Sequence, residues 1–216
     1  MAATSSPYGL KPINLIGGQA FNGGVIREFK LSTNNSAAFF TGDVIQLTSA
    51  GNPQALTATP TAIKIPATSA DATAGIVGVC VGVRYVDPNL KYVVFGQTLP
   101  ANAITGNYTD VFIRVCDDPD QLFQIQGSAA FGSLTNGAAG AVGKNAALGN
   151  FSAGNATTGL SGVNLVVGAN GGSLAATTTL AMRIVDVVAE TATDTYPDLI
   201  VKFNVGVHSY TNPLGV

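Results

Sequence analysis

The chain is 216 residues long, 46% hydrophobic and only 10% charged, with a formal net charge of -2. A globular domain carries about 25% charged residues, so less than half the usual supply is present, and the ten Lys and Arg are scattered singly, which excludes the clustered cations of a direct nucleic-acid interface. A mean hydropathy of +0.33 argues against disorder, and no apolar run approaches the roughly 18 residues of a helical membrane span.

The opening MAATSSPYGLKP lacks the charged and apolar regions of a secretory signal, so maturation in a cytoplasm is expected. Pro7 and Pro12 disfavour helix, and residues 1–22 read as an extended tail preceding a single body over 23–216. The body begins with alternating apolar residues at 25–31, and GDVIQL (42–47) follows. GIVGVCVGVRYV (75–86) is apolar on both alternating sets, as a strand buried on both faces should be. Further strands are predicted at 91–96, 110–116, 122–126, 177–188 and 198–207, all rich in Val, Ile, Thr and Phe.

Between Gln126 and Arg183 the only charged side chain is Lys144. This Gly, Ala and Asn-rich stretch has too few large side chains for a core of its own, and its first part, 127–156, reads as a neutral loop or arm insertion. TTGLSGVNLVV (157–167) reads as a strand or turn, and the alanines of 137–148 allow at most a short, glycine-broken helix. Short strands separated by Gly, Pro, Asn and Asp turns predict an all-β sandwich or barrel of antiparallel strands.

Catalytic motifs fail on spacing. GAAGAVGKN (137–145) has Ala138 where a phosphate loop needs its first Gly and Asn145 where it needs a hydroxyl. TGLSGV (158–163) lacks the residue that separates Ser from the second Gly in a nucleophile elbow, and His208 is the chain's only histidine. Cys80, Cys116 and His208 are too few for a structural zinc site, although the two cysteines could face one another on adjacent strands as a reduced pair. Asp117, Asp118 and Asp120 read as a turn capped by its own carboxylates, with a surface cation as the alternative. Neither an enzyme nor a cofactor is expected. Low surface charge suits a subunit whose neutral face is covered in an assembly.

The ordered blocks SSPYGLKPINLIGG, FFTGDVIQLTSAG, GIVGVCVGVRYVD, VCDDPDQLFQIQ, TTGLSGVNL, LAMRIVDVV and LIVKFNVGVHSY span nearly the whole chain. Their order resembles a family of tailed-phage virion structural proteins, common in marine and cyanobacterial phages, that act as capsid decoration or cement proteins. The resemblance implies a protein made in the host cytoplasm and carried in the virion. It would act as a homotrimer on the outside of a shell of major capsid protein, bridging neighbouring subunits, with no membrane or small-molecule partner. Contact residues are then expected at Tyr8, Leu10 and Pro12 in the tail, Phe131, Leu134 and Phe151 in the neutral segment, and His208 and Tyr210 near the C-terminus. Removing residues 1–16 should leave a folded body that binds shells less well. The alternatives are another virion subunit, either a major capsid protein, whose long spine helix has no counterpart in this sequence, or a tail component, or a β-sandwich module binding glycans or host surfaces. That module would want clustered aromatics, whereas the chain has no Trp and its six Tyr are scattered.

Overall fold

The computed structural model describes residues 4–21, 26–31, 37–47, 53–55, 75–132, 134–151, 154–178, 180–204 and 206–211. Among these the protein is all-β, with only short 3-10 turns at Gly137–Gly140, Ala169–Gly171 and Ala189–Thr191. No helix of the described residues is long and apolar enough to cross a membrane.

Two six-stranded antiparallel sheets carry the fold. The first joins β1 (Lys11–Leu15), β10 (Gln121–Gln126), β16 (Asp198–Phe203), β15 (Met182–Val187), β11 (Asn145–Gly149) and β14 (Asn164–Val166), in that spatial order. The second runs β2 (Ile26–Lys30), β9 (Thr109–Cys116), β6 (Ile76–Val86), β4 (Val44–Leu47), β5 (Pro53–Ala55), and β7 (Val93–Gly96) also pairs with β6. Two small ribbons, β3 (Phe39–Phe40) with β8 (Thr98–Leu99) and β12 (Gly154–Asn155) with β13 (Leu160–Ser161), complete it. Both large sheets are open, so the sandwich alternative holds and barrel closure does not.

β6 is the element shared by two cores. One flank pairs along its length with β9, while the other takes β4 at Ile76–Val79 and β7 at Val83–Val86. Ile76 and Val79 enter a core against the first sheet, with Phe123, Ile125, Ile184, Leu199, Val201 and Phe203. Val77, Cys80 and Val83 enter the second core, with Phe39, Ile45, Leu99, Ile113 and Val115. The face switch between Val77 and Val79 falls at Gly78, where the pairing register shifts and a Cβ would lie 2.0 Å from the Cys116 carbonyl oxygen. Only glycine fits so close an approach within a strand.

Residues 127–156, and the uncharged residues that follow them, pack into the body. Phe131, Ala141, Ala146, Leu148, Phe151, Val163, Leu165 and Val167 are buried in the first core, and β11 and β14 supply two of the first sheet's strands. Small residues are used because strands meet closely there: a Cβ at Gly149 would touch the Val166 side chain at 2.9 Å. The short helix allowed at 137–148 is one 3-10 turn followed by β11. The N-terminal segment is likewise built in, since β1 pairs antiparallel with β10 and Leu10 is only 1% exposed. Pro12, with no N–H to donate, stands in this edge strand, where prolines are tolerated.

Candidate interaction surfaces

The N-terminal segment crosses β4's entry turn before forming β1. Leu10 N–H donates to the Gly42 carbonyl at 3.1 Å, Gly42 N–H to Cys80 and Ser161 N–H to Thr41. Gly9 and Gly42 hold positive φ, and a Cβ on either would run within 2.8 Å of the other strand's backbone. Beneath this crossing Asp43 is buried: the Ser161 hydroxyl donates to Oδ1 at 2.5 Å, and Phe40 N–H donates to Oδ2 at 2.9 Å. With no cation beside it among the described residues, burial pushes the Asp43 carboxyl up to about 7, against the opposing pull of those two hydrogen bonds. Ser161 is thus a structural partner of Asp43.

Above the crossing lies an open groove of about 480 Å³, walled by Tyr8, Leu10, Lys11, Pro12, Thr41, Gln124 and Leu160. A second depression of about 280 Å³ adjoins it, sharing Tyr8 and Leu160. The Tyr8 hydroxyl donates to Asp198 Oδ1 at 2.9 Å, and Gln124 Nε2 reaches Asp198 Oδ2 at 3.2 Å. Burial first, and then the Asp198 charge, raise the Tyr8 phenol well above its ordinary range. Leu160, 37% exposed, caps the ribbon at the groove's rim. The site is therefore largely apolar in its walls, with Lys11 as its charged lining residue and Thr41 and Gln124 as polar ones, and its open shape suits an extended chain segment.

The expected contact residues divide by burial. Tyr8 and Pro12 line the groove, while Leu10 shows only an edge to it. Phe131 and Phe151 are buried in the first core, and His208 is buried beside it. Leu134 packs half-buried against that core, and Tyr210 is exposed. Burial lowers the His208 imidazole below its ordinary value, and the ring packs between Phe203 and Tyr210. The spacing of apolar residues in a glycine-rich stretch gives no periodic signal of burial, which is why these residues resemble exposed anchors in the sequence.

The carboxylates of the acidic turn are all engaged within the chain, one of them by the turn's own backbone. Asp117 receives Arg27 and the Tyr210 hydroxyl, Asp118 Oδ1 accepts Asp120 N–H at 2.7 Å, and Lys202 pairs with Asp120 at 2.5 Å. Among the described residues no three His, Cys, Asp or Glu converge to hold a metal ion. Cys80 and Cys116 do lie on adjacent strands, but Cys80 faces the second core and Cys116 the first, so they do not meet. Burial pushes both thiols up to about 12.

A second surface had no motif to announce it. The β6–β7 hairpin exposes Leu90 (55%), Tyr92 (58%), Val93 and Phe95 (68%) together. No family model, no curated protein and no solved structure matches this chain.

Proposed function

We propose that this protein is a virion structural subunit of the capsid decoration type, which binds a shell of major capsid protein and bridges neighbouring subunits. The groove beside β1 is the observation that supports this reading best. An extended strand or tail from a shell subunit could lie between Tyr8, Pro12 and Leu160, with Thr41 and Gln124 offering polar contacts. Low surface charge suits a face that a lattice covers, and repetition over many sites would make a modest contact strong. Synthesis in the host cytoplasm, incorporation into the particle and a trimeric state belong to the same reading.

Cosedimentation of the full chain with emptied capsids tests it. Leu160→Lys places a charge on the groove rim without touching either core, and it should weaken shell binding at least tenfold while the melting temperature stays within a few degrees of wild type. Unchanged shell affinity in that variant overturns the groove as the docking site.

A further inference from the structure

The exposed hairpin belongs to a larger face. The ladder register sets Phe95, Arg84, Phe112 and Lys30 in one row across β7, β6, β9 and β2, with Arg114 and Glu28 in the next. The Arg84 guanidinium lies 4.2 Å over the Phe112 ring and pairs with Glu28 at 3.2 Å. At its other end the same face is covered by the first sheet through Val79 and Cys116. Toward the hairpin it runs on uncovered, with three cations against the single carboxylate of Glu28. The turn's own Asp87 and Lys91 offset each other.

The opposite charge is gathered elsewhere. Between Arg183 and Lys202 the chain has four carboxylates, Asp186, Glu190, Asp194 and Asp198, and no cation. Asp198 is engaged by Tyr8 and Gln124, whereas Asp186, Glu190 and Asp194, around the β15–β16 turn, form no ion pair among the described residues. Lys30 and Arg114 form none either. Unsatisfied charges of opposite sign thus sit on two different surfaces of one chain, and only one of those surfaces is also apolar.

We propose that the Phe95–Arg84–Phe112 face binds the acidic β15–β16 turn of a second copy of this chain, joining copies head to tail. A contact between two unlike patches repeats from copy to copy, and it closes into a ring when the rotation permits. Phe95 and Val93 supply the apolar area, while Lys30, Arg84 and Arg114 select the acidic turn and steer its approach. This contact does not depend on shell binding. Failure of the groove would show in capsid cosedimentation, and failure of this interface in the oligomeric state of the free protein.

Sedimentation velocity on the full chain, in low salt and in about 0.5 M salt where the screening length is a few Å, provides the test. The wild type is expected to associate, and salt to weaken that association at least tenfold. Lys30→Glu with Arg114→Glu, and separately Glu190→Lys with Asp194→Lys, should each weaken it at least tenfold. All four changes in one chain restore complementary signs and should recover association, which also shows that the reversed chains fold. Phe95→Ser should weaken association without lowering the melting temperature. A wild type that stays monomeric at every concentration, or single-patch reversals that associate as the wild type does, overturns the proposal. Loss in Phe95→Ser with no response to either charge reversal overturns the acidic turn as the occupant.

Discussion

Asp43 shows how one side chain can make the fold sensitive to pH. Its carboxyl ordinarily titrates at 3.8, and in the folded chain burial raises it to about 7, so the folded state binds the proton more tightly than the unfolded state. The stability contributed by this group is therefore fully present below about pH 4 and is lost as the pH rises to about 7. A difference of that size corresponds to about 4 kcal/mol. Asp43→Asn keeps an acceptor for Phe40 N–H and a polar partner for Ser161, yet has no proton to lose. Denaturant unfolding of both proteins at steps from pH 4 to 8 should show the wild type losing stability relative to the variant across that window. Parallel pH profiles would mean that the Asp43 carboxyl titrates near its ordinary value. Nothing in the sequence around GDVIQL separates this aspartate from a turn residue, because its burial is set by tertiary packing and its partner Ser161 lies 118 positions away.

At the scale of elements, β6, β9 and β16 were legible because their β-branched runs match a pleated, half- or fully buried surface. β1 was not, since Pro12 and a mixed KPINL sequence read as a tail, and its pairing with β10 is a contact across more than a hundred residues. β11 was hidden for a different reason: NAALG has Leu148 as its one large apolar side chain and no alternating pattern, and its strand state is set by close packing between β14 and β15. The placement of β1 changes what truncation should do. Removing residues 1–16 strips an edge strand and takes Leu10 out of the core, so the body should lose stability as well as shell binding. Leu10→Ala isolates the packing part and should cost about 2–5 kcal/mol by chemical denaturation. A loss below about 0.5 kcal/mol would mean that the N-terminal segment is not docked in the free protein.

For the whole molecule, the low charge has an internal explanation in part. Much of the uncharged stretch after Gln126 is the wall of the first core, so its neutrality reflects burial within the chain as well as any face offered to a partner. The two cores are divided by the second sheet but not independent of one another. β6 sends alternate residues into each, with Gly78 at the switch, and β9 places Ile113 in the second core and Cys116 in the first. Losing either core would free one face of the same two strands, so the molecule should unfold as one unit. Ile184→Ala in the first core and Ile113→Ala in the second should each cost about 2–5 kcal/mol. At about 2–4 °C per kcal/mol, both should move one calorimetric transition down by roughly 4–20 °C. Two resolved transitions, with each substitution shifting only one of them, would show that β6 does not couple the cores.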